Sequence, residues 1–189
     1  MSRFTVPDRQ SAHPVSQPLF DAIERQLGSV PNLYRVIGLS PSTLQGVLDL
    51  ASALSQTLDV QTRERIALAV AQVNGCDYCL SAHSYLAANL AKLEETEIAA
   101  AREGRSADRR SNAAVSFARK VAESRGSISD ADVAAIKLAG FSDNQIVEIV
   151  ANVAINILTN LLNLVADTDI DFPVVRTDTA SDAAILDHA

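Results

Sequence analysis

Residues 59–83 read DVQTRERIALAVAQVNGCDYCLSAH. Ile66, Ala67, Val70 and Val73 recur at helical spacing, so the first part predicts a helix over 59–73. Asn74-Gly75 is a helix-ending pair, because glycine adopts the left-handed closing conformation without a Cβ penalty. A second helix is expected from Cys76, carrying Leu80, Leu86, Ala87 and Leu90 to about Leu93.

The same periodicity extends outward. Upstream, Leu19, Ile23 and Leu27 form a helical stripe that stops at Gly28, and a short helix after Pro31 turns Leu33, Val36 and Ile37 inward. Ser40-Pro41 places a cap before proline at the first helical position, opening a helix through Leu44, Val47, Leu48 and Ala51 to near Thr57. Downstream, Glu94–Arg102 is a short helix closed by Gly104, and 108–124 and 129–139 are amphipathic. Ser142-Asp-Asn-Gln145 is a capping box that opens a long last helix ending near Asp167. No strand pattern of comparable strength appears. The expectation is an all-α fold, a compact bundle of about eight helices over 19–167. An extended arm precedes it at 1–18, and an acidic, extended tail follows at 168–189, free to lie along a neighbouring subunit.

Composition agrees with one helical domain. The 189 residues are 48% hydrophobic but 4% aromatic, with no Trp, so the core is built from Ala, Leu, Ile and Val. A formal charge of -7 disfavours nucleic acid and anionic lipid as partners. The most apolar stretch, 146–166, carries Glu148, Asn152, Asn156, Asn160 and Asn163, which reads as a buried helix and not a membrane span. The N-terminus lacks the apolar run of a secretory signal, so a cytoplasmic location is expected. Asp167, Asp169 and Asp171 alternate as in a calcium loop but lack its glycine, so they read as a solvated tail with no metal.

The only two cysteines, Cys76 and Cys79, stand three residues apart at a helix start, with His83 four residues on. On a helix at roughly 100° per residue these three share one face. A cysteine reacts as its thiolate, and a helix N-terminus and a nearby histidine both favour that form. Cys79 has both influences. The spacing therefore assigns nucleophilic attack to Cys79 and resolution of the sulfenic acid to Cys76. Glu64, near the middle of the preceding helix, can orient His83 or accept a proton if the two helices run antiparallel.

Glu64, twelve residues before Cys76-Asp-Tyr-Cys79 and joined by His83, resembles the motif of the alkylhydroperoxidase D-like group of the carboxymuconolactone decarboxylase superfamily. The likeness continues through Arg63-Glu-Arg-Ile-Ala-Leu-Ala-Val-Ala and Val30-Pro-Asn-Leu-Tyr, and the segment Asn160 to Pro173 resembles a peroxidase-related subgroup. The resemblance implies an all-helical fold assembled as trimers or hexamers. It also implies a hydroperoxide substrate, an external dithiol reductant and oxidation at the second cysteine, here Cys79. Where such peroxidases carry a histidine just before the second cysteine, this chain has Tyr78, one proton carrier fewer. The decarboxylase members lack the cysteine pair, which makes lactone decarboxylation the poorer transfer.

Other readings stay open at this level. Cys76, Cys79 and His83 with Glu64 have the residue types of a zinc site, although structural zinc favours small loop-rich folds over one helical face. Two inert buried cysteines, or a non-catalytic oligomeric binding protein that senses redox state, are further alternatives. Tyr78 and Tyr85 read as packing residues, Arg63 and Arg65 as surface or interface ion-pair partners, and the asparagine stripe as buried amides bonded across a helix or subunit boundary. His13 and His188 are assigned no role. No glycine-rich phosphate loop or dinucleotide fingerprint is present, so no flavin or nicotinamide cofactor is expected.

Overall fold

The computed structural model describes residues 2–178, and the tail beyond them, with His188, lies outside the described residues. Among the described residues the chain forms nine helices and no strand. They are α1 (Gln17–Leu27), α2 (Asn32–Ile37), α3 (Pro41–Leu54), α4 (Val60–Asn74), α5 (Asp77–Asn89), α6 (Glu95–Arg102), α7 (Arg109–Ser124), α8 (Asp130–Leu138) and α9 (Asp143–Ala166).

Helix α4 is the hub, packed against α5, α6, α7 and α9. Residues Glu64 to Ala71 are buried without a break, as expected of a helix enclosed on all sides. The small side chains of Ala67, Ala69 and Ala71 let neighbouring helices approach closely. One apolar cluster joins Ile66 and Val70 of α4 to Phe117 of α7, Ile136 of α8 and Ile149 of α9. A second joins Leu68 and Ala71 to Cys76, Cys79 and Leu80, so the dithiol sits in a packed interior. A third holds α1, α2 and α3 together around Phe20 and Leu44.

The expected caps form. Ser40 accepts the Thr43 amide, and Ser142 and Gln145 make the reciprocal capping box that starts α9. Two ends fall short of the sequence reading. Helix α3 stops at Leu54 instead of running to Thr57, because the Ser55 and Thr57 hydroxyls bond the Ser52 and Leu54 carbonyls at 2.7 and 2.9 Å, closing the turn locally. Helix α5 stops at Asn89 and not Leu93: Lys92 takes a left-handed φ of 55°, which returns Leu93 to the core.

The arm and tail pack on their own chain. The Arg3 amide and Ser2 hydroxyl both donate to the Ala166 carbonyl, at 2.6 and 2.9 Å, covering the open C-terminal end of α9. Residues 168–178 form a strap along α5. Asp77 accepts from the Thr177 amide at 2.8 Å and pairs with Arg176 at 2.7 Å, and Ser81 exchanges two hydrogen bonds with Val175. The described part of the tail thus packs on α5 of its own chain, where Asp77 and Ser81 offer polar partners at matching intervals.

Helix α9 has the length and composition to cross a membrane, with mean hydropathy 1.8. It lies instead against α2, α3, α4, α5 and α7, with Asn152, Asn156, Asn160 and Asn163 buried in that contact. Its outer side carries Val147, Val150, Ala154, Leu158, Leu161 and Val165, all exposed and all within one narrow stripe.

Candidate functional site: a dithiol between helices α4, α5 and α9

The link between α4 and α5 sets the position of both sulfurs. Gly75 takes φ 67° and ψ 31°, its amide bonds the Gln72 carbonyl, and the Cys76 amide bonds the Ala71 carbonyl at 3.0 Å. This is a Schellman closure. Cys76 completes that closure and is also the N-cap of α5, so its backbone is fixed from both sides. Its Sγ serves as the capping acceptor for the Cys79 amide, at 3.4 Å.

Cys79 follows in the first turn of α5, where the unpaired amides of a helix start favour negative charge. Both cysteines are free thiols, 1% and 2% exposed. The Cys76 thiol donates to the Cys79 sulfur, and this is the largest influence that lowers the Cys79 pKa to about 6, against the opposing effect of burial. His83 contributes next through its charge, followed by Asn163, whose Nδ2 donates to Cys79 Sγ at 3.2 Å. The proton retained by Cys76 for this bond pushes its own pKa far up, and burial adds to the rise. The pair is therefore asymmetric at neutral pH, with a thiolate at Cys79 and a thiol at Cys76.

His83 lies one turn after Cys79, and its Nδ1 is 2.8 Å from Glu64 Oε2. The turn at Gly75 produces this meeting by bringing the middle of α4 beside the middle of α5. Burial disfavours the imidazolium, but the Glu64 carboxylate and the Cys79 sulfur outweigh it and raise the His83 pKa. With Nδ1 held by Glu64, Nε2 is left for proton exchange. The four residues singled out in the sequence, Glu64, Cys76, Cys79 and His83, are thus assembled in one place.

A cavity of about 410 Å³ opens beside His83, walled by Leu33, Tyr34, Tyr78, Tyr85 and Phe172. Tyr78 accepts the Leu33 amide at 3.1 Å, bonds the Asp171 carboxylate and meets Phe172 edge-on at 5.9 Å. Burial raises its pKa, so it stays protonated and shapes the cavity wall without carrying protons. A second hollow of about 250 Å³ reaches Cys76, Asn163 and Thr168 from the other side of α5. Among the described residues no group of three or more histidine, cysteine or acidic side chains is arranged to hold a metal ion.

With this geometry in view, comparison with known proteins places the chain. Residues 41–124 match the family model of the carboxymuconolactone decarboxylase family, a span that contains Glu64, Cys76, Cys79 and His83. The fold is similar to the alkylhydroperoxidase AhpD core of a peroxidase-related protein from Ralstonia eutropha JMP134, at TM-score 0.80 and 22% identity over 90% of this chain and 92% of that one. The segment 41–124 is thus similar to the carboxymuconolactone decarboxylase family, and the whole fold is that of alkylhydroperoxidase D-like proteins. The same fold is seen in a peroxidase-related protein from Silicibacter sp. TM1040, at TM-score 0.77 and 23% identity over 89% of this chain and 91% of that one. The debrominase Bmp8, as a cysteine-to-alanine variant in complex with 2,3,4-tribromopyrrole, gives TM-score 0.75 and 24% identity over 99% of this chain and 98% of that one. No protein of curated function matches this chain in sequence.

Two site residues escaped the sequence reading. The reading of the asparagine stripe as buried amides bonded across a helix boundary holds for Asn160 and Asn163, which meet Asn74 and Cys79, whereas Asn152 and Asn156 bond main-chain carbonyls one turn back within α9. Asn163 donates to the Cys79 sulfur, and Asn160, held by Asn74 at 2.8 Å, adds a weaker influence that favours the Cys79 thiolate. The available signal was position: both lie near the C-terminal end of α9, which crosses the start of α5. Arg65 also departs from expectation. It is buried and pairs with Glu97 of its own chain at 3.1 Å, filling the groove between α4 and α6.

Proposed function

We propose that this protein is a thiol-dependent peroxidase-like oxidoreductase that reduces hydroperoxides through Cys79 and Cys76. The observation that carries the reading is the asymmetric dithiol: a Cys79 thiolate favoured by Cys76, His83 and Asn163, with the resolving thiol already bonded to it. In the first step the Cys79 thiolate attacks the terminal oxygen of ROOH. The S–O bond forms, the O–O bond breaks, and sulfur supplies two electrons. The departing alkoxide takes a proton from His83 and leaves as ROH, while Glu64 holds the ring. Cys76 then attacks the Cys79 sulfenic acid. An S–S bond replaces the S–O bond, and the hydroxide leaves as water with the Cys76 proton. An external dithiol, protein or small molecule, restores both thiols and is itself oxidised to a disulfide. Such a cycle suits a reducing compartment such as the cytoplasm.

The apolar cavity beside His83 is the proposed entry for the organic part of the hydroperoxide. The exposed apolar stripe of α9 supports assembly with further copies of this chain, as trimers or hexamers. The test is peroxide consumption by the purified protein with a dithiol such as dithiothreitol in excess. Turnover should be lost in Cys79→Ser, and unchanged consumption in that variant would refute the proposal. Thiol oxidation without turnover under any reductant would favour redox sensing.

A second reading is favoured by the aromatic lining of the cavity together with the likeness to the debrominase over nearly the whole chain. The dithiol would there supply the two electrons and the proton that replace bromine by hydrogen on an electron-rich ring. Bromide release from 2,3,4-tribromopyrrole by the reduced protein would support it, and none above the Cys79→Ser background would dismiss it.

A further inference from the structure

Two polar atoms beside Cys79 are buried without a hydrogen-bond partner: Asn160 Nδ2 and Asn163 Oδ1. Asn160 is 0% and Asn163 3% exposed, and an orphaned polar atom at such depth is costly unless something uses it. Neither carboxamide can rotate to satisfy itself without losing a bond it already makes. Asn74 Nδ2 holds Asn160 Oδ1 at 2.8 Å, and Asn163 Nδ2 holds Cys79 Sγ at 3.2 Å. What remains around the sulfur is one donor that nothing but the sulfur approaches and one free acceptor. That is the complement of a hydroxyl group, which accepts one hydrogen bond and donates another. The hollow that reaches Asn163 and Cys76 is also lined by Thr168, whose buried Oγ1 is likewise unpartnered, so polar space continues beyond Asn163.

We propose that Asn160 and Asn163 are the receiving site for the oxygen that a hydroperoxide transfers to Cys79. In the product of that transfer, the Cys79 S–OH oxygen accepts from Asn160 Nδ2 and its hydrogen is donated to Asn163 Oδ1. The inference rests on the peroxidase reading and adds positioning residues to it. Held as the neutral acid, the sulfenic group is a weaker nucleophile toward a second peroxide than its anion, so the pair protects Cys79 until Cys76 condenses with it. Condensation forms the disulfide, releases the oxygen as water and empties the site.

The test uses the full chain carrying Cys76→Ser, in which the sulfenic acid cannot be resolved. The protein is treated with one equivalent of hydrogen peroxide, and the sulfenic acid is trapped at intervals with dimedone and counted by mass spectrometry. Adding Asn160→Leu or Asn163→Leu should shorten its lifetime about tenfold, the loss of one hydrogen bond at a polar group, with a matching gain of sulfinic acid. Asn152→Leu, which removes a buried amide of the same helix that bonds only the Glu148 carbonyl, should leave the lifetime unchanged. Should the leucine variants lose helicity by circular dichroism, Asn160→Ser and Asn163→Ser, too short to reach the sulfur, are read in the same way. Equal lifetimes in parent and variants would overturn this inference alone. Absence of any sulfenic acid in the Cys76→Ser parent would overturn both it and the peroxidase reading.

Discussion

Replacing Glu64 with glutamine should make Cys79 ionise at a higher pH without disturbing the fold. Glutamine keeps the length of the side chain and can still accept from His83 Nδ1 across the 2.8 Å contact, so the ring keeps its orientation and only the charge is lost. A hydrogen bond to a charged group contributes about 1.5–3 kcal/mol and a neutral one about 0.5–1.5, so the imidazolium loses roughly 1–2 kcal/mol of support. The His83 pKa therefore falls. The sign then propagates: the carboxylate favours the imidazolium, and the imidazolium favours the thiolate whose pKa stands at about 6. A less protonated His83 leaves the thiolate less favoured, so the ionisation midpoint moves up. The assay is the rate of Cys79 alkylation by iodoacetamide between pH 4 and 9, in Cys76-intact protein with mass-spectrometric assignment of the site. Wild type should titrate near pH 6, and Glu64→Gln at a distinctly higher pH. Superimposed profiles would refute the coupling of Glu64 to the sulfur through His83.

Other consequences reach beyond the site. Gly38 stands at the end of α2 with its Cα against the ring of Phe20, which is 1% exposed, and an added Cβ would collide with that ring. Gly38→Ala should therefore cost about 1–3 kcal/mol and lower the thermal midpoint by several degrees, read by calorimetry. Leu161 is 53% exposed within the α9 stripe, so Leu161→Glu should reduce the particle mass by sedimentation equilibrium if further copies cover that face. An unchanged mass would dissociate the stripe from assembly.

Much of this architecture could be read from residue order because the signals were local. Gly75 stops one helix and starts the next, Ser142 and Gln145 cap each other, and apolar residues repeat at helical spacing, so neighbouring positions determine each feature. Cys76, Cys79 and His83 lie on one helix and were legible for the same reason. Glu64 needed only the assumption that the chain folds back at Gly75. Asn160 and Asn163 were not legible, because what separates them from Asn152 and Asn156 is the crossing of α9 over the first turn of α5, a contact 84 residues apart in sequence. The docking of the strap on α5 was not legible for a related reason: its partners Asp77 and Ser81 lie some hundred positions upstream. The early stop of α5 depends on Lys92 adopting a left-handed turn, a conformation lysine does not announce.

The most direct measurement is to count free thiols in reduced protein before and after one equivalent of hydroperoxide, with the products assigned by mass spectrometry. Rapid loss of both thiols to a Cys76–Cys79 disulfide, prevented by Cys79→Ser and halted at a sulfenic acid by Cys76→Ser, is the predicted result. Two thiols that survive the peroxide unchanged would contradict the peroxidase cycle and the division of roles between the cysteines.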